Sequence, residues 1–397
     1  MGRNNLNRRD WIKTGLLTAG GMTLFPHLGF GEVPKATLRF DAHGNTLYSP
    51  FFKEYITEGF LDSEVLLAKL NANENPYGPS PIAVEALKTV ADKGNRYAWR
   101  ELFQLMDKIA LKEGIKAENI MMGPGSSDLL EKTAMVLFMN GGNVVSADPS
   151  YMSLIQVAEA TGASWKAVPL KEDWSHDLQA MEAAIDEDTK LIYICNPNNP
   201  TGSLTSHEEL LDFCSRISEK VTVFIDEAYL DFLEDGAKKS MVSLIGEGKD
   251  VIIARTFSKI HGMAGLRVGY IMAQTKTLDK IRKITRGGMG ISYTSIYAAL
   301  ASMDDVAFQD KSRALNAEAR EYVYRSLEKM GYDYVTSFTS FVIFPIEMEG
   351  KLFLEKMLER KVGVRAFEFM DKNWCRVSMG TLDEMKIFTA ALNEVLA

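Results

Sequence analysis

Cysteine is scarce. Only Cys195, Cys214 and Cys375 occur in 397 residues, an odd number with no C-x-x-C pair, which argues against a disulfide framework and against a zinc site. The five histidines include no H-E-x-x-H, so the metalloprotease pattern is missing too. Nor is there a G-x-x-x-x-G-K-[ST] loop of the kind that cradles nucleoside triphosphates. No uninterrupted apolar run reaches the ~18 residues that a membrane-spanning helix needs. Positive charge is in deficit, with 45 Lys and Arg against 53 Asp and Glu and a net charge of −8, so nothing favours a nucleic-acid partner. Repeats and low-complexity tracts are absent as well. What remains is an ordinary globular composition, 46% hydrophobic and 25% charged, in a chain long enough for two or three domains with sizeable cores.

The first thirty residues differ from the rest. "NRRDWIKTGLLTAGGMTLFPH" sets Arg8 and Arg9 before a short, weakly apolar stretch bearing Gly and Ala, the layout of an export signal rather than of a folded element. It resembles the twin-arginine signal pattern, with Asn7 at the usual Ser position and Trp11 and Ile12 as the apolar pair. Residues 1–30 therefore read as a twin-arginine-like signal, with the export machinery as a partner and the periplasm or cell envelope as destination. No clean A-x-A cleavage site follows, so the segment can stay on as an anchor. The plainer alternative is an amphipathic N-terminal helix on a cytoplasmic protein.

Beyond an arm, residues 31–80, the text alternates helix and strand patterns. "PIAVEALKTVADKG" carries Pro at a helix start and Gly at its end. "NIMMGPGSSDLLEKTAMVLFMNGG" reads as strand, glycine turn and helix. "GNVVSADPSY", "TKLIYICNPNNPTG", "KVTVFIDEAY" and "DVIIARTFSK" each end an apolar, β-branched run in a polar or Gly/Pro turn. Strands apolar throughout, separated by helices, imply an α/β fold with a mostly parallel sheet covered on both faces, over residues 81–290. From 291 to 397 longer helices accompany the short strands "SFVIFPI" and "WCRVSMG", a smaller α+β domain. The stretch 36–64 reads as an arm at the substrate entrance. In open α/β sheets ligands sit beyond the carboxyl ends of the strands, so Ser126, Tyr151, Asn199, Asp226 and Lys259 are expected on one rim.

Each rim motif has a plain reading beside the chemical one. Asp226, directly after a buried strand, could ligate magnesium, cap a helix, or pair with a heteroaromatic nitrogen and keep it protonated. "NPNNPTG" fixes an unusual turn around Asn199, or is only a loop. "GPGSSD" offers Ser126 and Ser127 at a helix start whose free amides can hold phosphate, though most such turns bind nothing. Lys259 can form a Schiff base with an aldehyde, and burial favours its nucleophilic form. Thr256, Ser258 and Arg267 around it have the makings of a phosphate clamp. Taken together the parts describe a site for pyridoxal 5'-phosphate. His261, two residues further on, reads as a packed or exposed histidine.

"LNANENPYGPSP", "NRYAW", "GPGSSD", "DPSY", "CNPNNPTG", "FIDEAY", "TFSKIHGMAGLRVGY" and "VGVRAF…CRVSMG" stand in the order found in the histidinol-phosphate aminotransferase family, which the chain resembles from about residue 65 to its end. The resemblance implies the fold of the class I/II, fold type I, pyridoxal-phosphate-dependent transferases. It makes Lys259 the Schiff-base lysine and Asp226 the partner of the pyridine nitrogen. Tyr229 and Asn199 would meet the ring hydroxyl and Tyr151 the ring face. Ser126, Ser127, Thr256 or Ser258, and Arg267 would hold the phosphate, joined by Tyr97 from the second subunit of a homodimer. Arg376 would take a substrate α-carboxylate and Arg365 a distal phosphate. The implied reaction moves an amino group between an amino acid, or an amino-alcohol phosphate, and a 2-oxo acid. Alternatives within the same cofactor chemistry are a decarboxylase of the threonine-phosphate type and a non-catalytic binding protein. The family's V-R-P and R-Y-P become Val364-Arg365-Ala366 and Arg96-Tyr97-Ala98 here, which loosens backbone without removing a contacting side chain.

Overall fold

A computed structural model describes residues 39–57, 66–285 and 287–396; the signal-like segment, residues 1–30, lies outside the described residues. Apolar strands assemble into a seven-stranded sheet. Its order is Ile120–Gly123, Gly269–Ala273, Val251–Thr256, Thr222–Asp226, Thr189–Cys195, Asn143–Asp148 and Ser164–Pro169. Only Gly269–Ala273 runs against its neighbours; the other pairings are parallel. Alternate side chains feed two apolar layers, as the period of two requires. Ile192, Ile194, Val223, Ile225 and Ile253 enter one layer, and Leu191, Tyr193, Phe224, Ile252 and Ala254 the other. Helix Tyr293–Asp304 sends Ile296, Ala298 and Ala299 into the first of these.

Parallel strands point their carboxyl ends the same way. Thr222–Asp226 ends on Asp226, and Val251–Thr256 ends three residues before Lys259. Between the first strand and its helix the chain turns at Gly125, φ +89°, straight into helix Ser126–Phe138.

A second, antiparallel sheet has six strands in the order Arg39–Phe40, Thr46–Ser49, Phe52–Glu54, Arg365–Phe369, Lys372–Ser378 and Phe341–Ile346. The stretch read as an entrance arm thus supplies three strands to it. Ala366, Cys375 and Val377 pack with Val323, Leu327, Phe353 and Leu392 of the helices on one face. Those helices are Val306–Met330, Gly350–Glu359 and Leu382–Leu396. The longest is capped by the Asp305 side chain, which accepts from the Phe308 amide, and is stopped by Gly331 at φ +79°. Arg365, Phe367, Arg376 and Glu54 alternate onto the opposite face, towards the rim of the large sheet.

Behind that rim a buried guanidinium ties two of its strands together. Arg255 Nε donates to Glu227 at 2.8 Å, Nη1 lies 3.3 Å from Asp231, and Nη2 lies 3.8 Å from Glu113. Arg255 and Glu227 are 3% and 2% exposed, so neither charge has water to fall back on. Removing one member strands the others. Arg255→Leu is expected to lower stability by about 3–5 kcal/mol, seen as a fall in the urea midpoint.

Candidate active site

One cavity of about 1290 Å³ opens where the two sheets face each other. Every candidate residue named from the sequence lines it, except Tyr97. Tyr97 is 73% exposed, with its ring 6.0 Å from that of Trp99. His261 is absent from the lining: it is buried, its ring lies against Phe257 and its Nδ1 is 2.7 Å from Ser302 Oγ.

The Lys259 amine donates to the backbone carbonyl of Asn73 at 3.1 Å and sits 5.3 Å from the centroid of the Tyr229 ring. Burial of the amine, then the nearby Arg376, lowers its pKa to about 8, so roughly a tenth of it is neutral at pH 7 where an ordinary lysine is almost wholly protonated. Asp226 moves the other way. Burial raises its pKa to about 6, with modest relief from the Ala228 amide at 3.1 Å and the Tyr193 hydroxyl at 3.4 Å. A buried carboxylate with so few donors favours a cationic partner, which a protonated ring nitrogen would provide.

At the other end of the cavity the features suit a phosphate. Helix Ser126–Phe138 begins without a side-chain cap, leaving its first amides available. Arg267 adopts a left-handed backbone, φ 51°, and its Nη1 lies 3.5 Å from Ser258 Oγ; the Ser258 amide in turn donates to Thr256 Oγ1 at 3.1 Å. Glycine makes this closeness possible. A Cβ at Gly125 would fall 2.3 Å from Arg267 Nη2, and one at Gly269 would fall 2.3 Å from the Ser126 amide nitrogen. Ser127 Oγ is 3.2 Å from the Tyr151 hydroxyl, placing that ring over the same hollow. The donor set, the buried acid and the amine together fit pyridoxal 5'-phosphate.

Arg376 forms the third corner. Its guanidinium lies between the Phe341 and Phe367 rings, 5.2 and 5.3 Å from their centroids, and Nη1 donates to Asn199 Oδ1 at 2.6 Å. Its Nε is buried without a hydrogen-bond partner among the described residues. Burial, then neighbouring Arg365, lowers its pKa to about 10.

Two contributions escaped the sequence reading. Asn73 holds a left-handed backbone, φ 52°, and works with every atom it has: its Nδ2 donates to the Tyr229 hydroxyl at 2.9 Å, Ser378 Oγ donates to its Oδ1 at 2.8 Å, and its amide donates to Ser378 Oγ at 2.8 Å. It lies within "LNANENPYGPSP", where an asparagine tolerant of positive φ was the available signal. The other is Glu54, which pairs with Arg365 at 2.6 Å and accepts from the Tyr48 hydroxyl. Arg365, expected to be offered to a distal phosphate, is therefore already engaged by a carboxylate.

The family model for aminotransferase class I and II matches residues 67–392. The chain is 35% identical over 331 residues to the histidinol-phosphate aminotransferase of Moorella thermoacetica, covering 83% of this chain and 85% of that one. Among solved structures, histidinol-phosphate aminotransferase from Sinorhizobium meliloti in complex with pyridoxal-5'-phosphate superposes with a TM-score of 0.79 at 26% identity, over 86% of this chain and 95% of that one. L-threonine-O-3-phosphate decarboxylase from Porphyromonas gingivalis has a TM-score of 0.71 at 18% identity, over 83% and 99% of the two chains, a likeness of fold alone.

Two outcomes are expected. Asn73→Gly keeps the backbone angle but removes the side-chain bonds to Tyr229 and Ser378, and should cost about 1–3 kcal/mol in chemical unfolding. In cofactor-free protein, competitive acetylation followed by peptide mapping should show Lys259 reactivity falling as pH drops through about 8. Exposed lysines should show the same loss near ~10.4, because only the neutral amine reacts.

Proposed function

The chain belongs to the class I and II aminotransferases, and from that membership we propose how its own residues carry out amino-group transfer. It is a pyridoxal-phosphate-dependent aminotransferase of the histidinol-phosphate aminotransferase type, passing an amino group from a small amino compound to a 2-oxo acid. The observation that carries the residue assignments is the meeting of Lys259, Asp226 and Arg376 in one cavity with an uncapped helix start and Arg267.

When bound, the cofactor supplies an aldehyde for the Lys259 amine and a protonated ring that spreads the charge left when the substrate loses its α-proton. Arg267, Ser126, Ser127, Thr256 and Ser258 would hold its phosphate. Asp226 would keep the ring nitrogen protonated, regaining its own ionised form beside that cation. Tyr229 and Asn199 would face the ring hydroxyl, and Tyr151 the ring itself. The Lys259 amine, once released, accepts the α-proton at Nζ and returns it, a role suited to an amine whose pKa is lowered to about 8. Arg376 would receive the substrate α-carboxylate in the cavity it lines, its guanidinium held still by the two flanking phenyl rings.

Homodimer formation and export belong to the same proposal. Tyr97, Trp99 and Phe103 are 73%, 45% and 58% exposed in one stretch, an apolar surface suited to a second copy, and Tyr97 would reach the partner's phosphate site from there. The sequence around Arg8 and Arg9 supports passage by the twin-arginine route.

The purified holoenzyme should be yellow and should bleach when an amino donor is added. Borohydride treatment followed by peptide mapping should place the cofactor on Lys259. Lys259→Ala should lower turnover by at least about 10³-fold, since both attachment and proton transfer are lost. Failure of donors of every class to bleach the protein would overturn transamination.

A further inference from the structure

Arg365 and Arg376 occupy directly opposed positions on neighbouring antiparallel strands, so both guanidinium groups project from one face. Like charges in that register repel. The arm answers this. Strand Phe52–Glu54 pairs with Arg365–Phe369, placing Glu54 opposite Phe367 on the same face as the two arginines. One Glu54 oxygen takes Arg365 Nη1 at 2.6 Å and the other takes the Tyr48 hydroxyl, so both are engaged. Glu54 is 4% exposed. The arm also lines the cavity with Arg39, whose charge falls on Glu159, and with Phe40, Leu47, Tyr48 and Phe52, and Phe367 continues that apolar wall.

Resting on the aminotransferase reading, we propose that Glu54 is a specificity-determining residue. By neutralising Arg365 it favours donors whose compact α-carboxylate goes to Arg376 and whose apolar or aromatic side chain lies on the wall, over donors such as L-histidinol phosphate, whose bulkier phosphate ester stands in place of the α-carboxylate and would press on Arg376, Arg365 and Glu54 together. A phosphate dianion at Arg365 would have to lie against the Glu54 carboxylate or displace it from its partner. Discrimination of this kind comes from a built-in repulsion as much as from new attraction. An apolar side chain meets no such penalty and gains the aromatic wall.

The test uses holoenzyme, 2-oxoglutarate as acceptor, and L-phenylalanine, L-leucine and L-histidinol phosphate as donors. Wild type should show a kcat/KM for L-phenylalanine at least about tenfold above that for L-histidinol phosphate. Glu54→Gln, which keeps the shape and drops the charge, should move that ratio at least about tenfold towards the phosphate ester, mainly through KM. Calorimetry on borohydride-reduced holoenzyme gives a readout free of turnover. There Glu54→Gln should tighten phenyl phosphate about tenfold and leave 3-phenylpropionate within about threefold. Wild-type preference for L-histidinol phosphate, or a variant that changes both probes alike, overturns the proposal. Should Glu54→Gln fail to fold, the wild-type donor ratio decides. Should no donor react at all, the aminotransferase reading fails, while the calorimetric ratio still decides the role of Glu54.

Discussion

The backbone carbonyl of Asn73 receives the Lys259 amine, and the rest of that residue binds Tyr229 on the large-sheet rim and Ser378 at the end of a small-sheet strand. Ser378 lies two residues beyond Arg376 on that strand. The distance between the Lys259 amine and the Arg376 guanidinium is therefore set through one asparagine rather than through the looser packing of two sheets. Arg376 adds a second crossing by donating to Asn199. Transfer chemistry needs its reacting groups held to fractions of an ångström, and short hydrogen bonds between rigid elements provide that better than apolar contact does.

Burial acts in opposite senses on the two ionisable groups that matter most. It makes the Lys259 amine give up its proton more readily and makes Asp226 cling to one. Each shift marks a charge that burial makes costly, and one molecule with an aldehyde and a protonated ring nitrogen would answer both. The glycines at 125 and 269 contribute by absence, since any side chain there would occupy space taken by Arg267 or by the first amide of the helix.

Much of this is legible in the sequence. Lys259, Asp226, Asn199 and Ser126 each follow an apolar run, and the rule that parallel strands deliver their carboxyl ends to one rim brings them together without further information. The apolar run "LRVGYIMA" reads as one more strand, which Gly269–Ala273 is, but its reversed direction is not legible, because periodicity carries no sign. Asn73 and Glu54 were not legible as site residues. Asn73 finds Ser378 across 305 positions, and Glu54 meets Arg365 only because an arm strand happens to pair with Arg365–Phe369 in one register. A shift of one residue would turn Glu54 to the other face, and nothing local in "FFKEYITEG" announces which register wins.

That pairing joins distant parts of the chain. Phe52–Glu54 leaves the ribosome long before Arg365–Phe369 exists, so the hairpin must wait, unpaired along one edge, while the large sheet is completed. The wall that chooses the substrate is thus among the last surfaces to be finished, and a chain halted before its final strands would possess the lysine and the aspartate yet have no means of telling one amine from another.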